Sequence, residues 1–293
     1  MLMDTKGIGT YLGITLAASY GLQWLIVRTG DTATRPYLVL IIPAVSAWIA
    51  LRVSPGGAYV RGALWPIPRV AALRMTFVIP LLFVLLYALG ALCRLTPPDW
   101  QLTELMLTLP SAEQLQLPAA FAPMLPKIYL GMGVVLAVVL GPTLYALTML
   151  PNEFGWRGYL LPRLMLVGRW PAYILSGIFW WLSFLPLVLW RGGTPLVNAL
   201  LSLGMAVTLS AASGEVWRRS QHLGLTAVCS GCLVCQASSI WLYLFPTINT
   251  GFPWPSRFGP VALVVFAVVA VVPGLLFGGL EPKAEDDEKK APK

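Results

Sequence analysis

A chain of 293 residues that is 57% hydrophobic and 11% charged, with mean hydropathy +0.75, has too few charges to cover a water-facing surface; soluble domains usually carry about 25% charged residues. This excludes a sizeable soluble domain and points to a single membrane domain over residues 1–280 with a charged tail at 281–293. The net charge of +8 comes from Lys and Arg scattered through short loops between apolar runs, which is a topological pattern and not a nucleic-acid-binding patch.

Taken in chain order, the apolar runs predict about eight spanning helices, near 8–28, 36–53, 71–95, 127–150, 171–190, 195–213, 223–245 and 258–279. Arg, Pro, Gly or Trp bounds each of them, as at interfacial helix ends. Lipid offers no water to an open backbone, so runs of this length are helices and not strands. The first run is longer than the apolar core of a signal peptide, about 7–15 residues, and is read as a retained helix. The longest connection, Pro97 to Pro126, is rich in Pro and Leu and reads as a lid or a surface-lying helix on the external side.

An even number of helices places both termini on one side. That side carries most of the 20 basic residues, including Arg52, Arg61, Arg69, Arg74, Arg218 and Arg219. The richer side is expected to be cytoplasmic, in an inner membrane of bacterial type. The tail from Glu281 to Lys293 mixes acids and lysines without an apolar anchor and reads as disordered.

The most specific stretch runs from Pro151 to Leu164, Pro-Asn-Glu-Phe-Gly-Trp-Arg-Gly-Tyr-Leu-Leu-Pro-Arg-Leu. A carboxylate at Glu153, just after an apolar run, costs roughly 2.5–3.5 kcal/mol on insertion scales unless it is compensated. If the helix continues past Asn152, Arg157 lies one turn on and on the same face. The pair is then either a structural ion pair or part of a polar cavity. Glu215 is similarly followed, three and four residues on, by Arg218 and Arg219, the pattern of a cytoplasmic anchor at a helix end.

The stretch from Glu153 to Leu164 resembles the first motif of the CAAX-protease and bacteriocin-processing (CPBP, or Abi) family of membrane endopeptidases, Glu-Glu-x-x-x-Arg followed by Gly-Trp-Arg-Gly-x-Leu-Leu-Pro-Arg-Leu. Residues 177–187, Gly-Ile-Phe-Trp-Trp-Leu-Ser-Phe-Leu-Pro-Leu, are similar to its second motif. The resemblance covers about residues 130–240 and implies an all-α, CPBP-like polytopic bundle. In members of the family a water activated by the first Glu and a His cleaves a peptide bond near a prenylated cysteine or in a related membrane substrate.

This chain departs at each catalytic position: Asn152 stands for the first Glu, Phe184 for the His before Leu-Pro, and Ser230 and Val234 for the later His and Asn. An amide is not a base near neutral pH, and a phenyl ring has no proton to exchange. His222 is the single histidine, so a site with two imidazoles is impossible.

Three functions follow as expectations. The first is a pseudoprotease with a binding cavity formed by Asn152, Glu153, Trp156, Arg157 and Trp180, which holds a prenylated or membrane-embedded partner among membrane lipids. The second is an endopeptidase rearranged around Glu153. The third is a non-catalytic accessory subunit. No cofactor is expected. Cys229, Cys232 and Cys235 form a helical stripe whose thiols, with His222, could suit zinc, but small buried packing residues account for them better. Trp156, Trp180 and Trp181 either line a groove or belong to an aromatic belt.

Overall fold

The computed structural model describes residues 4–29, 35–54, 63–93, 97–111, 113–190, 195–245 and 260–271. The charged tail at 281–293 and both ends of the eighth apolar run lie outside the described residues. In chain order the helices are α1 (Thr5–Thr29), α2 (Ile42–Val53), α3 (Arg69–Leu92), α4 (Thr103–Met106), α5 (Leu125–Leu140) and α6 (Ala146–Glu153), then α7 (Leu161–Leu164), α8 (Arg169–Trp190), α9 (Pro195–Ser220), α10 (Leu223–Ala237), α11 (Trp241–Leu244) and α12 (Pro260–Val271). No strand occurs among the described residues beyond one isolated bridge between Ala63 and His222. Among the described residues five helical stretches are long and apolar enough to cross a membrane: Thr5–Thr29, Arg69–Leu92, Ala120–Val167, Arg169–Leu189 and Ala199–Ser220. Leu38–Val53 and Leu223–Ala237 are shorter and apolar.

The burial pattern is that of helices in lipid. On α3 the buried residues Ala71, Met75, Ile79, Phe83 and Tyr87 recur every four positions, while Val70, Leu73, Phe77, Leu81 and Leu85 are exposed. Both faces are apolar, which water would penalise and hydrocarbon tolerates. The helix α10 is buried along its whole length and is the central helix, packed against α3, α6 and α9. Around it, α8 packs on α9, α1 on α2 and α8, and α12 on α9.

Sequence reasoning ends the fourth helix near residue 150 and makes 151–170 a connection. Instead the chain stays helical to Val167, through two wide π-type turns at Gly141–Tyr145 and Phe154–Leu160. Pro142, Pro151 and Pro162 each lack an N–H and crowd the preceding turn. A wider turn accommodates such an interruption without ending the helix.

Another proline, on α8, is accommodated by a partner far away in sequence. Pro186 lies inside α8, and the Gln23 side chain of α1 enters the backbone ladder beside it. Gln23 Oε1 accepts from the Leu187 N–H at 3.1 Å, and Gln23 Nε2 donates to the Ser183 carbonyl at 2.5 Å. Those two backbone groups are the ends of one α-helical turn, now bridged by an amide from α1. Gln23→Leu should lower unfolding stability in detergent micelles by about 2–5 kcal/mol, since each unpaired buried group costs about 1–3 kcal/mol. An unchanged midpoint would mean that the turn recloses by itself.

Asp4 begins α1 as a cap. Its Oδ1 accepts from the Gly7 N–H at 2.8 Å and from Ser54 Oγ at 3.0 Å, and its Oδ2 pairs with Arg163 Nε at 3.5 Å. Partial burial alone would raise its carboxyl pKa, but these hydrogen bonds outweigh it and hold the group below its ordinary value. Folding therefore gains stability from Asp4 above the unfolded-state pKa, and loses it as pH falls through the lowered one.

The 97–126 connection contains α4 and a 3-10 turn at Ala119–Met124. It lies over a cavity of about 350 Å³ between α5 and the end of α10, to which it contributes Leu105 and Leu109. Two links hold it down: Tyr129 Oη donates to the Pro110 carbonyl at 3.0 Å, and the Asp99 N–H donates to the Leu244 carbonyl at 2.7 Å.

Candidate functional site

Three separate parts of the chain meet around the Glu153–Arg157 pair. The carboxylate ends α6, and Arg157 follows one turn later in the wide turn 154–160, with Nε 3.3 Å from Glu153 Oε2. Both side chains are 1% exposed. Ser230, in the middle of α10, donates through Oγ to Glu153 Oε1 at 2.8 Å. Arg157 Nη2 also reaches the Leu209 carbonyl of α9 at 3.5 Å, the outer limit of a hydrogen bond.

This approach depends on small residues. A Cβ on Gly231 would fall 2.4 Å from the Ala146 backbone nitrogen, and one on Gly155 would fall 2.5 Å from the Pro43 backbone. Without side chains there, α10 lies directly against the start of α6 and α2 lies against the wide turn. Close approach of this kind is how helices gain packing and polar contacts where lipid supplies no hydrophobic drive.

Helix α1 closes the site. The Tyr11 ring stacks on Tyr159 at 5.1 Å and meets the edge of Trp156 at 5.6 Å. The Arg163 guanidinium lies 3.7 Å from the Tyr159 ring centroid and donates to the Tyr159 carbonyl at 2.6 Å. Tyr11, Trp156 and Tyr159 are fully buried.

Asn152 is also buried, and neither atom of its amide has a hydrogen-bond partner among the described residues; the indole N–H of Trp156 is likewise unpaired among them. Phe184 and Val234, singled out in the sequence, have hydrocarbon side chains with no proton to exchange. Phe184 packs edge-on against Trp180 at 5.7 Å on α8, and Val234 is buried one turn beyond Ser230 on α10. The structure thus brings Asn152, Glu153, Trp156, Arg157 and Ser230 into one region, and places Phe184 and Trp180 as an aromatic pair on α8.

Both Glu153 oxygens face a partner, one a guanidinium and the other a hydroxyl, and the site is sealed from solvent. A hydrolytic base needs a proton to accept and a water within hydrogen-bond reach. Here both carboxylate oxygens of Glu153 are taken up by protein groups.

The remaining sequence candidates have local roles. His222 caps α10: Nδ1 accepts from the Leu225 N–H at 3.1 Å, and Nε2 lies 2.8 Å from the Pro66 carbonyl. With Nδ1 accepting, Nε2 is the nitrogen that faces the Pro66 carbonyl as a donor, so both ring nitrogens are occupied. Cys229, Cys232 and Cys235 are free and buried on α10, with Cys232 packed against Gly141. Among the described residues no group of three or more His, Cys, Asp or Glu is placed to share an ion.

Sequence reasoning missed Tyr11 and Tyr159, which wall the site. A signal for α1 was present: Tyr11, Thr15, Ser19 and Gln23 recur every four residues in an apolar helix, and all are buried. Such a stripe marks the face of a membrane helix that packs on protein.

Compared with protein-family models, curated proteins and solved structures, the chain matches none.

Proposed function

We propose that this chain is a membrane pseudoprotease of CPBP-like architecture, with about eight spans and both termini at the cytoplasmic face, which binds a lipidated or membrane-embedded peptide segment and does not cut it. The observation that carries this reading is the state of the polar groups at positions 152, 153 and 230. Glu153 is engaged by Arg157 and Ser230, whereas the amide of Asn152 keeps its donor and its acceptor unpaired among the described residues. A primary amide presents the same donor and acceptor pair as a peptide group, so it suits binding of a backbone and not activation of water. The meeting of Ser230 with Glu153, two positions aligned from separate motifs, supports descent from one catalytic pocket.

The test uses purified full-length protein in lipid nanodiscs and a farnesylated peptide carrying a photoreactive group. No hydrolysis above the blank is expected, and crosslinks should fall on α1 or on residues 146–164 and weaken several-fold in Asn152→Leu. Turnover that Glu153→Gln abolishes would make the chain an active endopeptidase. Crosslinking that Asn152→Leu leaves unchanged would favour the third reading, an accessory subunit in which the buried ion pair only holds helices together.

A further inference from the structure

At the end of the bundle where α8 begins and α9 ends, one carboxylate holds three guanidinium groups. Glu215 is fully buried. Its Oε1 accepts from Arg169 Nε at 2.6 Å, Tyr173 Oη at 2.6 Å and Arg218 Nε at 3.1 Å. Its Oε2 accepts from Arg218 Nη2 at 3.2 Å and faces Arg219 Nε at 3.4 Å. The three arginines are partly open to the outside, at 40%, 27% and 22% side-chain exposure for Arg169, Arg218 and Arg219. Sequence spacing anticipated Arg218 and Arg219; Arg169 and Tyr173 are brought in by the packing of α8 on α9.

One guanidinium would neutralise Glu215. Three gathered there leave a surplus of two positive charges. Arg169 and Arg219 engage the carboxylate through Nε, and among the described residues their terminal N–H groups have no partner, which leaves them to a second oxyanion. Buried Glu215 and Tyr173 hold the cluster from behind, so it is pre-organised and its outer side is cationic. Trp170 is exposed and lies 5.0 Å below the Arg169 guanidinium, in the manner of an interfacial aromatic.

We infer that Arg169, Arg218 and Arg219 form a binding site for a phosphate ester, supplied by the headgroup of an anionic phospholipid in the leaflet at this end of the bundle. Guanidinium groups match the geometry of phosphate oxygens through paired N–H donors. Basic pockets between membrane helices on the cytoplasmic side take anionic headgroups for the same reason. The site is separate from the one at Glu153 and does not depend on the function proposed there.

The experiment measures retention of phosphatidylglycerol against phosphatidylcholine by the full-length protein, using native mass spectrometry from mixed nanodiscs. Preferential retention of phosphatidylglycerol is expected. Arg169→Gln/Arg219→Gln should weaken it by about tenfold or more, because each substitution removes one cation that attracts the headgroup. That variant keeps the two-point pairing of Arg218 with Glu215, so the buried carboxylate stays paired. If it fails to fold, Arg219→Gln alone carries the test with a smaller effect, and Lys at both positions should restore part of the affinity. A parallel arm adds inorganic phosphate: displacement of the lipid by millimolar phosphate supports the phosphate site but assigns it to a soluble ligand. Equal retention of the two lipids by the unmodified protein, or retention unchanged in the double variant, overturns the inference.

Discussion

Arg157→Met is expected to lower unfolding stability by about 3–5 kcal/mol, because it removes the cation that balances the buried Glu153 carboxylate. Arg157 and Glu153 lie 3.3 Å apart and are each 1% exposed. Among the described residues Ser230 would remain as the carboxylate's polar partner, a single hydroxyl at 2.8 Å. Glu153→Gln should also destabilise, since it leaves the buried Arg157 guanidinium without a counter-charge, although the Gln carbonyl still accepts from Ser230. The double variant, Arg157→Met with Glu153→Gln, should recover most of the stability, because the uncompensated charge is gone. Reversible unfolding in mixed micelles measures the cycle. Strictly additive effects would show that the two side chains contribute separately and are not a pair.

A comparably large effect is expected at Gly231. A side chain there meets backbone on every near side: the Ala146 nitrogen at 2.4 Å, the Gly141 carbonyl oxygen at 2.6 Å and the Ala146 Cα at 2.7 Å. Backbone atoms cannot swing aside as a flexible side chain can, so α10 must retreat. Gly231→Val should therefore cost about 3 kcal/mol, at the upper end of typical overpacking penalties. It should also lengthen or break the Ser230 to Glu153 hydrogen bond one residue away. Gly21→Ala on α1 is the matched control, since a Cβ there meets nothing within 4 Å. Alanine at that position should be neutral or stabilise the helix by up to about 1 kcal/mol. Comparable destabilisation at both positions would mean that the close approach of α10 and α6 carries no special weight.

Charge balance and helix spacing are thus two properties of the same site, and they differ in how far the sequence reveals them. The pairing of Glu153 with Arg157 was legible from spacing on the condition that the helix continued past Asn152, since four residues of helix return a side chain to the same face. The contact with Ser230 was suggested only by matching two motifs, and nothing local in α10 marks that serine among its apolar neighbours. The continuation of the helix beyond residue 150 was not legible, because Pro151 and Pro162 read as terminators. Two wide turns answer that conflict, with α10 packed against the first and α2 against the second. For His222 the chain position suggested a helix start, and the pair of hydrogen bonds from its ring needed the Pro66 carbonyl of a distant segment.

Composition and the length of the apolar runs determined by themselves that this is a helical membrane protein, because hydrocarbon leaves a backbone no partner but itself. They determined equally that one copy of this sequence supplies a single imidazole, since a count does not depend on folding. Tertiary structure alone decided which polar side chains would meet. Ser230 reaches Glu153 across 77 residues, and Gln23 reaches the carbonyl of Ser183 across 160. Contacts at such separations are set by how closely two helices approach and at what rotation, which depends on the glycines and prolines of both partners together.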